Sequence, residues 1–263
     1  MLFSSMAGRN RKNMHNEAVQ RVLDSKEYPF INTCLGQYIR YVLEQREPSR
    51  FFIIEIVQNC PANELESFLK KVCSILEMEC RELVQNFGLN SDLVTPEPDK
   101  FYDIYEEFGT VSRLHEEGFN KIKKIRKPAQ DEGRYADFTA YCGSDKYAIE
   151  VKTIRRSEIE NRARMGPPSR CLGFKKDDLR NLLESKLRDI LLSAQRQLRE
   201  TAKREQCNRK LAAIWVEREV TRGWFGASED DYGKIYDDIK SQFPEVDYFL
   251  FNGNLWYPEK PQW

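Results

Sequence analysis

Two short alternating runs joined by Gly143-Ser144 constrain the fold of this chain more than any other feature. RYADFTAYC (134–142) and KYAIEVKTI (146–154) both show the period of two that a strand requires. A glycine at the first of two central positions suits a two-residue type II′ hairpin turn. That turn sets the register: position 137 faces position 150, each six residues from its own turn residue. One face of the hairpin then carries Ala136, Phe138 and Ala140 with Tyr147, Ile149 and Val151, and should pack on a core. The other face carries Asp137, Glu150 and Lys152.

The second face has chemical consequences. Carboxylates directly opposite on neighbouring strands repel. Lys152 lies two residues past Glu150 on the same face, ~6.6–6.8 Å along the strand, and offsets part of that repulsion. A divalent cation between the carboxylates would offset more. Mg²⁺ takes one or two carboxylates together with waters and phosphate oxygens. A lysine beside it can orient a water, favour hydroxide and balance charge on a pentacovalent phosphorane.

The flanking pattern is helical before the hairpin and mixed after it. ANELESFLKKVCSILEMECRELVQNFG places Leu65, Phe68, Leu69, Val72, Ile75 and Leu76 at i, i+3, i+4 spacing and stops at Gly88. Residues 1–20 are polar and read as loose, and 49–59 reads as a buried helix. Residues 89–100, with two prolines, read as a linker between an N-terminal helical module (1–98) and a second domain (99–263). Residues 100–117 are predicted helical, with Tyr102, Tyr105, Val111 and Leu114 as apolar positions, ending at Gly118. Residues 119–127 alternate as a strand, and 155–175 read as a basic loop. Residues 177–205 form a long amphipathic helix, 211–217 a buried strand, 229–242 a helix and 246–252 a last strand. The expected fold class is α/β.

Composition adds one localised signal. The formal net charge is zero, yet residues 112–210 hold 25 Lys+Arg against 15 Asp+Glu, so the basic excess lies around the hairpin. Such a balance suits a local polyanion site better than a membrane surface. No stretch approaches the ~18–20 apolar residues of a membrane span, and the N-terminus lacks an apolar signal-peptide core. The seven cysteines (34, 60, 73, 80, 142, 171, 207) form no CxxC pair, and the only histidines are His15 and His115. A Cys/His zinc site is therefore not expected, and the thiols fit a reducing cytoplasm.

The string ADFTAYCGSDKYAIEVKT, with Asp137 followed by Glu150-Val151-Lys152, resembles the PD-(D/E)xK nuclease superfamily, over roughly residues 100–217 and as far as 252. Ala136 stands where the signature has a proline, a position that varies widely in that superfamily. The resemblance implies a restriction-endonuclease-like core: a helix, a three-stranded antiparallel meander, a helix and a further strand in a mixed sheet flanked by helices. It implies that Asp137 and Glu150 bind Mg²⁺ (or Mn²⁺), that the Val151 carbonyl is a further ligand, and that Lys152 assists the attacking water. It also implies an acidic residue on the first helix, best matched by Glu107 with Glu106 as runner-up. A glutamine on the following helix is best matched by Gln197, ahead of Gln195. A second ExK string, Glu184-Ser185-Lys186, lies in the long helix, where i and i+2 do not share a face. The loop arginines Arg155, Arg156, Arg162, Arg164 and Arg170 would contact the phosphate backbone, a source of affinity rather than sequence choice.

Four functions are compatible with these residues: a DNA endonuclease, an RNA-cleaving enzyme with the same site, a catalytically inactive nucleic-acid-binding module, and a helical interaction protein. The intact Asp, Glu and Lys favour an enzyme, and the resemblance favours DNA over RNA as partner. A homodimer is compatible with any of them, and no membrane partner is expected.

Overall fold

A computed structural model of the chain describes residues 17, 19–36, 39–40, 62–87, 98–125, 135–154, 176–216, 229–252 and 255–257. The expectations for residues 1–16, 49–59, 89–97 and 155–175 fall outside the described residues. The chain divides into two compact units, Met1–Glu116 and Glu117–Trp263.

In the first unit a π-helical segment, Ile31–Leu35, precedes three α-helices: α1 (Ala62–Leu76), α2 (Cys80–Asn86) and α3 (Pro98–Glu116). The stripe expected in α1 buries Leu65, Leu69, Val72, Cys73 and Leu76. Phe68 is half-buried and meets Tyr105 of α3, ring centroids 5.5 Å apart. α1 ends in a Schellman turn with Glu77 in the left-handed region (φ 52°). Met78 N–H donates to the Cys73 carbonyl and Glu77 N–H to that of Ser74. α2 follows at once from a capping box between Glu79 and Glu82. α3 opens on Pro98, where a missing N–H costs nothing. Its buried stripe runs through Ile104, Phe108, Val111 and Leu114, and Tyr105 is only half-buried.

One cluster in this unit escapes the spacing argument. The sulfurs of Cys34, Cys73 and Cys80 lie within 4.8 Å of one another. Spacing motifs detect ligands carried by one local turn, whereas these three come from the π-helical segment, α1 and α2.

The second unit holds a six-stranded mixed sheet in sequential order: β1 (Asn120–Lys124), β2 (Phe138–Cys142), β3 (Asp145–Ile154), β4 (Arg209–Val216), β5 (Asp247–Asn252) and β6 (Leu255–Tyr257). β1, β2 and β3 form an antiparallel meander; β4 and β5 continue parallel to β3; β6 turns back antiparallel. The three-residue β6 is too short to show a period in sequence. Helix α4 (Lys176–Glu205) links β3 to β4, and α5 (Glu229–Lys240) links β4 to β5. Crossovers between parallel strands are right-handed. Two such steps in the same direction put both helices on the same face of the sheet. Leu187, Leu191, Leu198 and Ile235 of the helices accordingly share one core with Ala148, Ile154, Ala212 and Ile214 of the strands. The α/β expectation holds, with helices packed against a mixed sheet.

The hairpin turn forms as read. Cys142 pairs with Asp145 across Gly143-Ser144. Only the first turn position, Gly143, has positive φ (59°), the pattern of type II′. Among the described residues, no helix is long and apolar enough to cross a membrane.

Candidate functional site

The hairpin ladder runs in the expected register from Cys142–Asp145 to Phe138–Ile149 and then breaks. Counting outward from a two-residue turn, alternate pairs are hydrogen-bonded, which makes Phe138–Ile149 such a pair. The Asp137 N–H also donates to the Ile149 carbonyl, at 2.9 Å. Two residues of β2's approach thus oppose one of β3, a β-bulge, and bulges re-aim side chains. The bulge explains a second departure from the simple alternation. Ala136, expected beside Phe138, is buried instead with Ala148 and Ile154 on the opposite face.

Asp137 therefore does not stand squarely across from Glu150. Its carboxylate reaches β3 by another route: Oδ2 accepts a hydrogen bond from Val151 N–H at 2.9 Å. That amide joins Glu150 to Val151, so Asp137 is tied to the chain within the ExK triplet itself. The other oxygen, Oδ1, accepts from Lys124 Nζ at 3.3 Å. The Lys124 ammonium also lies 4.7 Å from the centroid of the Phe138 ring.

Alternation along β3 puts Glu150 and Lys152 on the face of Ala148 and Ile154, the one covered by α4 and α5. Glu150 is only 1% exposed. Its Oε1 lies 2.5 Å from Lys152 Nζ, while the lysine side chain keeps 27% of its surface accessible. A buried carboxylate costs several kcal/mol, on the order of the Born penalty after relaxation, unless a counter-charge accompanies it. Lys152 supplies one while remaining reachable from solvent. The group thus has two carboxylates, each on its own ammonium: Glu150 on Lys152 and Asp137 on Lys124. Oxygen donors of this kind, with the Val151 carbonyl, match the hard-cation preference of Mg²⁺ or Mn²⁺.

Three side chains of α4, at i, i+4 and i+7, dock the segment that leads into Asp137. Gln197 Nε2 donates to the Tyr135 carbonyl at 3.2 Å, and Thr201 Oγ1 accepts from Ala136 N–H at 2.7 Å. The Arg204 guanidinium lies 4.6 Å from the centroid of the Tyr135 ring. Gln197 thus holds the backbone two residues before Asp137. Thr201, fully buried, is its missed companion. Replacing Thr201 by Val keeps the shape and removes the acceptor, leaving a buried N–H without its bond. A loss of about 1–3 kcal/mol in urea unfolding is expected, with T201S close to wild type.

Lys124 was also missed. It opposes Phe138 only because β1 carries one extra residue between Asn120 and Lys123, with Lys121 at φ 50°. No sequence period reveals that shift. Glu107 and Glu106 are half-buried residues of α3, in the first unit, and are described with it. Glu184 and Lys186 of the decoy string lie within helix α4, as expected. Gln195 is half-buried on the same helix. Arg155, Arg156, Arg162, Arg164 and Arg170 lie outside the described residues. Comparison with protein families, with curated proteins and with solved structures finds no match.

Proposed function

We propose that this chain is a metal-dependent nuclease of the PD-(D/E)xK type, hydrolysing phosphodiester bonds, with DNA as the favoured substrate and a restriction-endonuclease-like second domain. The observation that carries the reading is the ion pair of buried Glu150 with half-buried Lys152 beside Asp137, whose carboxylate is bonded to the amide within the same triplet. A buried ion pair is seldom a stability device, since apolar residues of similar volume often do as well or better. The other buried positions of β3 are Tyr147, Ala148, Ile149 and Ile154, so a carboxylate buried among them breaks the local pattern. Breaks of that kind concentrate at functional sites.

In this mechanism Asp137, Glu150 and the Val151 carbonyl would hold Mg²⁺ or Mn²⁺. The bound cation would supply Lewis acidity at a phosphate oxygen and a lowered pKa for a coordinated water. Lys152, partly accessible, donates to the attacking water and holds it in line. Its charge then balances the developing negative charge on phosphorus. Lys124 donates to one Asp137 oxygen and orients the carboxylate, and Gln197 and Thr201 fix the backbone that presents it. Glu107 is the further acidic candidate. Arg155, Arg156, Arg162, Arg164 and Arg170 would contribute backbone affinity. The reducing cytoplasm is the compartment this reading assigns.

The test is a cleavage assay on plasmid, single-stranded DNA and structured RNA with Mg²⁺, Mn²⁺ or EDTA. The expected result is metal-dependent cleavage of DNA, abolished by EDTA and restored by excess Mg²⁺. Cleavage confined to RNA would transfer the same site to the other polymer. Binding of nucleic acid without cleavage of any substrate would leave a nonenzymatic module.

A further inference from the structure

The first unit gathers three thiols that the nuclease reading does not use. Cys34 sits in the π-helical segment, Cys73 in the last turns of α1, and Cys80 at the first position of α2. Their sulfurs fall within 4.8 Å of one another, and the Cys73–Cys80 separation is 4.0 Å. Among the described residues, this is the one group of three or more His, Cys, Asp or Glu side chains that converges closely enough to share an ion. Tetrahedral zinc with Zn–S bonds of about 2.3 Å places its sulfurs about 3.8 Å apart. Each thiol therefore needs to move by less than about 1 Å to reach ligand distance.

The scaffold holds that geometry by several independent contacts. The Glu66 carboxylate of α1 accepts hydrogen bonds from Phe30 N–H and Ile31 N–H, both at 2.8 Å, and so fixes the start of the segment that carries Cys34. The Schellman turn at Glu77 and the capping box at Glu79 reverse the chain between Cys73 and Cys80. Cys34 Sγ also lies 3.9 Å from the Cys80 carbonyl oxygen. Cys34 and Cys73 are only 3% and 5% exposed, and Cys80 is half-exposed. The group is closed on the side of the first two thiols and reachable past the third.

We propose that Cys34, Cys73 and Cys80 form a trithiolate site for a thiophilic cation of the zinc class, with a water in the fourth position. Soft thiolate donors select such ions over Mg²⁺ or Ca²⁺. Each S–metal bond replaces an S–H bond, and the proton is released to solvent. The site is separate from the Asp137–Glu150 group in its residues and in its metal preference.

The experiment uses the full chain, purified and reduced without thiol chelators, in buffer free of Mg²⁺. Titration with Co²⁺ should bring the intense thiolate-to-metal absorption of a tetrahedral site to saturation at one equivalent per chain. Zn²⁺ should then displace it stoichiometrically. In the unsubstituted protein, Zn²⁺ should protect Cys34, Cys73 and Cys80 from iodoacetamide, read by peptide mass spectrometry, and leave Cys142 and Cys207 unprotected. The double variant C34A/C73A should lose the equivalent, and C142S/C207S should keep it. Absence of stoichiometric binding, protection at other cysteines, or a Cys73–Cys80 disulfide persisting in reductant would overturn the proposal. The alkylation pattern decides the matter even if the double variant does not fold. Nuclease activity does not enter any readout, so the two readings fail independently.

Discussion

Lys152→Ala is expected to lower DNA cleavage by about a hundred- to ten-thousand-fold, the range for removing a positioned group that handles a proton. The same substitution should also cost stability. Glu150 is 1% exposed and its Oε1 is 2.5 Å from the lysine ammonium. Breaking a buried pair by removing one partner typically costs about 3–5 kcal/mol. A value near about 3 kcal/mol is expected here, because the lysine keeps 27% of its surface in water. The two effects can be separated. The double variant E150Q/K152M removes both charges, and should recover most of the stability lost by K152A in a urea melt. It should recover none of the cleavage. If the pair were a salt bridge and nothing more, restored stability would bring restored activity.

What was legible in the sequence was local. The Gly143-Ser144 turn and the two alternating runs sufficed to give the hairpin, its register up to Phe138–Ile149, and the sequence positions of Asp137, Glu150 and Lys152. The long helix from residue 176 to 205 was legible from its period. What could not be read depended on partners distant in sequence. The bulge at Asp137 shifts a phase that period-two counting assumes constant, and it moves Ala136 to the other face. Lys124 reaches Asp137 because β1 absorbs an extra residue, which a single-strand pattern cannot reveal. Thr201 looks in sequence like an unfavourable residue inside a helix. Its role appears only when the Ala136 amide is laid against it. The cysteine trio is the extreme case, since Cys34 and Cys80 meet across 46 positions of chain.

Those tertiary contacts also reshape the expectation for Asp137. A simple hairpin would leave its carboxylate repelling Glu150. In the bulged geometry the charge is shared between the Val151 amide at 2.9 Å and Lys124 at 3.3 Å. An isosteric Asp137→Asn change keeps an oxygen for the Val151 N–H but loses the charge, and its amide hydrogens then face the Lys124 ammonium. Charged hydrogen bonds exceed neutral ones by about 1 kcal/mol, so a loss of about 1–2 kcal/mol is expected in urea unfolding. Catalysis should suffer far more. A metal ligand contributes several kcal/mol of charge stabilisation in the transition state, and about 1.4 kcal/mol is a factor of ten in rate. D137N is therefore expected to cleave DNA at least about a hundredfold more slowly, with half-maximal activity shifted to higher Mg²⁺. The companion variant Lys124→Met distinguishes a ligand from an anchor. It removes the ammonium next to Asp137 while leaving both carboxylates, so it should lower stability yet retain Mg²⁺-dependent cleavage. If D137N and K124M lose cleavage only in proportion to their lost stability, Asp137 anchors the bulge and holds no metal.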